Sequence, residues 1–298
     1  MFNQYFGTFL LEKKIITTEQ LRIVLAAQGS TRVKLGVLAI NSGYMNAVQV
    51  NEVHKLQATK DQKFGQIAIE EGYLTEEKLD DLLKAQNKSN VLLGQALIEK
   101  GYFTFDQYEE VLCQYNAESG FNSDEITALK NNDVQKIVKK YLNAVNKSDG
   151  DLVHDYFELF IRNLVRFIDD EIGLEEAKEI DSYTFSHLIT QKIIGKYNLI
   201  TSFTGSESTL ARFASIYSGE KLCGMEAMAK DSLGEFLNCQ NGLFLTNLSH
   251  RGIELDLSPQ EVRENGTLKS QKNMYLVPCY LSFGKIDFIF SNESSIDN

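Results

Sequence analysis

Apolar positions divide this chain into a helical first part and a mixed second part. Gly7, Gly36, Gly65 and Gly94 stand 29 residues apart, and the text around them recurs as FGTFLLEKKIITTEQLRIVLAAQ, LGVLAINSGYMNAVQVNEVHKLQ, FGQIAIEEGYLTEEKLDDLLKAQ and LGQALIEKGYFTFDQYEEVLCQY. A fixed period of this size marks a repeated supersecondary unit. Each copy predicts a short apolar helix (Gln66 to Glu71 in the third), a turn at Gly43, Gly72 or Gly101 (Lys14 in the first), and then a Thr-capped helix. In the third copy Thr75 is the expected cap, and Leu79, Leu82 and Leu83 the expected buried stripe. One such unit cannot bury its apolar face alone, so the copies must pack on one another. Residues 1–116 are therefore expected to form an all-helical domain.

From 117 to 150 the composition turns polar. Ser123 with Glu125 is expected to open one helix and Val134 to Tyr141 to form another, which makes this a partly helical connector. The stretch DLVHDYFELFIRNLVRFIDDEIG then places Leu152, Tyr156, Leu159, Phe160, Leu164 and Phe167 at helical spacing. HLITQKIIGKYNLITSFTG alternates apolar and polar residues on both sides of Gly195-Lys196, the pattern of a β-hairpin. SESTLARFASIYSGE predicts a Ser-capped helix, and a further helix follows. After the turn HRG come a strand in GIELDL and a closing hairpin, MYLVPCYLSF and KIDFIFS, bent at Phe283-Gly284. The order α-β-β-α-α-β-β-β over 151–298 predicts an α+β domain, with helices on one face of an antiparallel sheet.

The most informative stretch is Met225 to Gly242, MEAMAKDSLGEFLNCQNG. On a helix, Asp231, Glu235, Asn238 and Gly242 fall in a stripe about 60° wide, while Leu233, Phe236, Leu237 and Phe244 lie opposite. One face is anchored; the other presents a carboxylate and a carboxamide one turn apart.

Composition narrows the function classes. The chain is 43% hydrophobic with a net charge of −11, and its mean hydropathy is −0.23. That balance argues against a surface that neutralises nucleic-acid phosphates. No run of 18 apolar residues occurs and the N-terminus lacks the marks of a signal peptide, so a cytoplasmic protein without membrane insertion is expected. Cys113, Cys223, Cys239 and Cys279 form no C-x-x-C pair and sit among apolar neighbours, which predicts buried, reduced thiols. His54, His154, His187 and His250 are scattered singly, so no metal site is expected. No G-x4-G-K-[ST] and no G-x-G-x-x-G is present, and nucleotide hydrolysis and dinucleotide redox chemistry lack support.

Two resemblances follow from these motifs. The repeat is similar to the MshEN module, also found at the N-terminus of type II secretion ATPases, with Gln28, Gln57 and Gln86 closing three copies at the matching place. Some members bind cyclic di-GMP through an Arg before Leu-Gly; here the equivalent positions carry Tyr5, Lys34, Lys63 and Leu92. Lys34 and Lys63 could contact phosphate as point charges, but the bidentate contact is missing. Cyclic di-GMP sensing and protein docking both stay open for this domain.

The second resemblance comes from Asp-x3-Glu-x2-Asn-x3-Gly inside the α-β-β-α-α-β-β-β order. It is similar to the signature helix of the CheC/CheX/FliY chemotaxis phosphatases, which hydrolyse the aspartyl phosphate of CheY-like response regulators. That resemblance implies catalytic roles for Asn238 and Glu235, and supporting or docking roles for Asp231 and Gly242. It implies no cofactor of the chain's own, because Mg2+ would sit on the partner regulator. A second copy of the motif is not expected on the first helix, where Glu158 and Asn163 lie on different faces; one site is expected, as in CheX. The resemblance permits a homodimer. The alternative is a non-catalytic binding or scaffold protein of the same fold, such as a cyclic di-GMP-responsive adaptor for motility or secretion.

Overall fold

The computed structural model describes residues 1–27, 33–57, 60, 62–85, 92–131, 133–142, 145, 150–169 and 171–297. The chain forms two compact units, Met1–Asn132 and Asp133–Asn298, divided within the segment expected to be a connector.

In the first unit the 29-residue period appears as four helix pairs: α1 (Phe2–Glu12) with α2 (Thr18–Ala27), α3 (Leu35–Asn41) with α4 (Ala47–Gln57), α5 (Phe64–Glu70) with α6 (Glu76–Ala85), and α7 (Leu92–Glu99) with α8 (Phe105–Glu118). Each repeat glycine closes its own pair. A Cβ on Gly36 would lie 2.8 Å from Val50 and one on Gly65 would lie 2.6 Å from Leu79; on Gly94 it would collide with the Tyr108 ring, and on Gly7 the neighbour is Leu21 at 3.6 Å. The contacted residue is the same position of the repeat in every copy. The turn inside each pair needs left-handed backbone, with φ of +67° at Gly43, +74° at Gly72 and +71° at Gly101; Lys14 adopts +56° in the first copy. Glycine carries that conformation without a Cβ clash, and Lys14 carries it against the usual preference.

Across copies, α7 packs on α1 and α2, α8 on α3 and α4, and α5 on α3 and α4. The copies thus neighbour one another in the order first, fourth, second, third. Phe2, Phe6 and Phe9 of α1 surround Tyr115 of α8 with ring centroids 5.3 to 5.5 Å apart. In α6 the buried stripe is narrower than expected, because Leu82 is buried while Leu83 is 42% exposed. Thr75 caps α6 as expected, accepting from the Lys78 N–H at 3.2 Å. Gln28 and Gln86 lie outside the described residues.

The polar segment contributes one helix to each unit: α9 (Ser123–Asn131) packs on α1, and α10 (Val134–Tyr141) packs on α11 (Gly150–Phe167). The cap of α9 is Asn122 rather than Ser123. Its Oδ1 accepts from the Glu125 N–H and Glu125 Oε2 accepts from the Asn122 N–H, both at 2.9 Å, a reciprocal capping box.

The second unit is α+β. Its six-stranded antiparallel sheet comprises β1 (Gly173–Leu174), β2 (Lys178–Gly195), β3 (Leu199–Gly205), β4 (Leu255–Leu257), β5 (Glu261–Leu281) and β6 (Gly284–Asp297). Pairing runs β5–β6–β3–β2, and β2 returns to β5 along residues 178–190. Three helices, α11, α12 (Glu207–Ser218) and α13 (Ala227–Ser249), pack together and on the sheet. Ser206 caps α12 by accepting from the Thr209 N–H. Phe160 of α11 lies 4.4 Å from Phe288 of β6, and Phe236 of α13 lies 4.9 Å from Phe213 of α12, centroid to centroid.

Two expectations change here. β2 and β5 begin well before the apolar runs that predicted them, at Lys178 and Glu261, and a two-residue β1 is added. On α11 the buried stripe is Val153, Tyr156, Phe157, Phe160, Ile161 and Leu164, while Phe167 is 44% exposed. The stripe is rotated because Phe157 and Ile161, absent from the expected set, face the sheet core.

Candidate functional site

The site is built on α13, a helix of 23 residues. Leu233, Phe236, Leu237 and Phe244 are buried, which fixes the opposite stripe towards solvent. Asp231 and Glu235 are exposed, Asn238 is half-buried at the margin where helix meets sheet, and Gly242 is half-buried one turn further. All four expected residues therefore share one face, flanked by the exposed side chains of Met228 and Leu243.

Asn238 is not free to rotate. Its Oδ1 accepts from Gln191 Nε2 of β2 at 2.9 Å, and the same Nε2 donates to the Ser258 carbonyl at 2.9 Å. Gln191 Oε1 in turn accepts from Asn241 Nδ2 at 2.8 Å. Asn241 Oδ1 accepts from the Tyr156 hydroxyl at 2.6 Å, and Asn241 Nδ2 also reaches Thr201 Oγ1 at 3.0 Å. At the neighbouring position, Gln240 Oε1 accepts from Asn163 Nδ2 of α11 at 2.6 Å. A chain of buried amides thus ties α11, α13, β2 and β3 together behind the site. In a low-dielectric interior such a satisfied network fixes rotamers strongly. It leaves Asn238 one lone pair on Oδ1 and an amide group for the solvent side.

Glu235 Oε1 accepts from Cys239 Sγ–H at 3.2 Å, an i, i+4 contact on the exposed face. Although Cys239 is exposed, partial desolvation of its thiol, the largest cause, holds it above its usual range, and desolvation together with the hydrogen bond to Cys239 raises the half-buried Tyr217 hydroxyl. Beside the stripe, Lys230 pairs with Glu264 at 2.6 Å, and that ion pair lowers the Glu264 carboxyl. At Gly242 a Cβ would meet no atom within 4 Å. Among the described residues no side chain requires the glycine there.

On α11, Glu158 forms an ion pair with Arg162 and Asn163 is buried, so the two do not share a face. In the first unit Lys34 caps α3; its Nζ pairs with Glu99 at 3.1 Å and its backbone N–H donates to Gln95 Oε1. Lys63 caps α5 and is exposed. The thiols depart from expectation, since Cys113, Cys223 and Cys239 are exposed and only Cys279 is buried. Cys113 and Cys239 sit on the outward faces of α8 and α13, where apolar neighbours in sequence are not neighbours in space. Among the described residues, no group of three His, Cys, Asp or Glu side chains is placed to hold a metal ion, and no helix is long and apolar enough to cross a membrane.

Gln191, Gln240 and Asn241 were not anticipated from the sequence. Gln191 did carry a signal: it is a polar side chain in the strand LITQKIIG, at the same parity as Ile189 and Ile193, which are both buried.

No family model matches the chain, and no curated protein matches it. Over about half its length it is similar to solved structures of chemotaxis proteins. A CheC-like superfamily protein from Shewanella sp. PV-4 shares 19% identity, with 47% of this chain and 97% of that chain covered and a TM-score of 0.42. CheX from Desulfovibrio desulfuricans shares 15%, with 48% and 99% covered and a TM-score of 0.42. The CheX–CheY–BeF3–Mg complex from Borrelia burgdorferi shares 17%, with 49% and 97% covered and a TM-score of 0.40.

Proposed function

We propose that the second unit is a phosphatase for the aspartyl phosphate of a response-regulator receiver domain, with Asn238 positioning the attacking water and Glu235 orienting the partner. The observation that carries this reading is the Gln191–Asn238 hydrogen bond, which holds the carboxamide at the margin of an exposed stripe that also presents Glu235. An aspartyl phosphate lies in its own regulator's pocket, where Mg2+ and a lysine already neutralise its oxygens. What such a reaction lacks is a placed water. The free lone pair of Asn238 Oδ1 can accept a hydrogen bond from the water while its amide donates to a phosphoryl oxygen, and a neutral group does not repel the phosphate. The water oxygen then bonds to phosphorus as the bond to the aspartyl oxygen breaks, releasing the aspartate carboxylate and a dihydrogen phosphate that carries both water protons into solvent.

Glu235, exposed one turn earlier, suits an ion pair with the regulator's lysine rather than proton abstraction beside a phosphate. Asp231 extends the same acidic edge, and the open space at Gly242 admits a partner's backbone. For the first unit, docking is favoured over binding of cyclic di-GMP, because Lys34 is already engaged with Glu99. A second reading is a binding protein without catalysis. It needs only the docking face, which the exposed Asp231 and Glu235 and the open space at Gly242 supply without a water at Asn238.

The test is the decay of a phosphorylated receiver domain with and without the full chain. Acceleration is expected, falling by about 100-fold in Asn238→Ala as the water loses its placement. Glu235→Ala is expected to weaken binding more than turnover at saturation. Receiver domains that bind but decay at their own rate would establish the second reading instead.

A further inference from the structure

The copies of the first unit neighbour one another in the order first, fourth, second, third, so the first and third are ends. The seam between the fourth and second copies shows what such a contact uses. There α8 meets α4. The Ala47 N–H donates to Glu109 Oε2, Asn51 Nδ2 donates to Asp106 Oδ2 at 3.1 Å, and the His54 and Phe105 rings stack with centroids 5.5 Å apart. Ala47 and Leu112 are buried. One side of the seam therefore supplies N–H donors, and the other supplies two carboxylates and a leucine.

The repeat period carries the same positions to the end copies. On α6, Glu77, Asp80 and Leu83 stand where α8 has Asp106, Glu109 and Leu112, so carboxylate, carboxylate and leucine recur. On α2, Thr18, Arg22 and Leu25 stand where α4 has Ala47, Asn51 and His54. Thr18, like Ala47, is the first residue of its helix, and Arg22 keeps a side-chain donor in the place of Asn51. All six end-copy residues are exposed, Leu25 at 47% and Leu83 at 42%. The outer face of a terminal repeat is ordinarily polar, whereas both of these keep a leucine at the seam position. Their present polar partners are surface ion pairs, Arg22 with Glu19 and Asp80 with Lys84, whose four side chains are at least 62% exposed. Such pairs contribute little and exchange readily.

The two end faces complement each other. Docking α6 on α6 would set carboxylate on carboxylate, which is repulsive, whereas docking α2 on α6 sets Arg22 on Glu77 and the Thr18 N–H on Asp80. We propose that the first unit joins head to tail to a second copy of this chain, with α2 of one copy against α6 of the next, repeating between chains the seam that α4 and α8 make within one. A contact of this kind leaves a free end on each partner and builds rings or open chains. Glu76 stands where α8 has Phe105, so the ring stack of the inner seam is not repeated. A single helix pair also lies below the roughly 1,200 Å2 of stable interfaces, and the association is weak and concentration-dependent for both reasons. It uses the first unit alone and does not depend on the phosphatase reading.

The test is sedimentation velocity of the full chain from about 1 μM to about 1 mM, the range that a weak contact spans. The mean mass is expected to rise with concentration past that of two chains, and to rise less at high salt. Arg22→Glu damages only the α2 face and Leu83→Asp only the α6 face; both positions are exposed, and circular dichroism checks that each variant keeps its fold. Each is expected to weaken self-association at least roughly tenfold, as a like-charge contact or a buried unpaired charge does. Mixed in equal amounts, the two are expected to form a one-to-one complex that stops at two chains, because the intact α6 of the first meets the intact α2 of the second. The proposal is overturned if the parent stays monomeric throughout, if either folded variant associates as the parent does, or if the mixture associates no better than each variant alone. Self-association of Leu83→Asp but not of Arg22→Glu would assign the contact to α2 against α2 instead.

Discussion

Gln191 carries an amide whose two ends serve different neighbours. Its Nε2 holds Asn238 and the Ser258 carbonyl, and its Oε1 holds Asn241. Replacing it by Leu would keep the volume and strand preference but strand three polar groups. Leaving buried partners unsatisfied costs about 1–3 kcal/mol each before relaxation, so Gln191→Leu is expected to lower stability in urea unfolding by at least roughly that amount. Because Gln191 acts through Asn238, the same variant is expected to slow turnover of the phosphorylated receiver at saturation while leaving receiver affinity near the parent's. Equal loss in both quantities would mark Gln191 as structural only. This residue also shows where sequence reading stops. Glu235 and Asn238 were legible because helical geometry converts spacing into a shared face. Gln240 and Asn241, two and three positions on, were not, since periodicity records which side is apolar and is silent when a buried side is filled by mutually satisfied amides.

On the scale of elements, α13 has a feature that its own packing does not explain. Gly242 sits inside a long helix in ordinary helical conformation, where glycine costs roughly 0.5–1 kcal/mol relative to alanine. A Cβ there would meet open space. Gly242→Ala is therefore expected to raise the midpoint of thermal unfolding while weakening receiver binding, two effects of opposite benefit measurable on one protein. A variant that is more stable and binds unchanged would remove Gly242 from the docking surface. The repeat glycines behave differently, since Gly36, Gly65 and Gly94 each face a side chain of the paired helix too closely for a methyl group. Their 29-residue spacing was legible because the same packing demand recurs in each copy. The early halves of β2 and β5 were not. Segments such as KEIDSYT and EVRENGT are mostly polar, and their strand state comes from antiparallel pairing with the later, more apolar half of the other strand, Lys178–Ile180 against Met274–Leu276 and Glu261–Glu264 against His187–Thr190.

The whole molecule keeps two cores. The aromatic cluster around Tyr115 belongs to the first unit, and the stack of Phe160, Phe288, Phe236 and Phe213 belongs to the second. A fragment spanning 133–298 contains the entire amide network and all four stripe residues. It is expected to fold cooperatively and to accelerate receiver dephosphorylation at saturation as the full chain does. A fragment that folds but loses turnover would show that the first unit takes part in the chemistry.

The placing of the copies in the first unit has a consequence for its birth on the ribosome. The first copy rests on the fourth, and α7 of that copy ends at Glu99. The part of the apolar face of α1 that α2 does not cover accordingly waits for its partner copy while two further copies are synthesised. Contacts so distant along the chain are slow to form and leave apolar surface open in the meantime. Sequential repeats ordinarily spare a nascent chain that wait, because each new copy settles on the last; here the order of synthesis and the order of assembly are different.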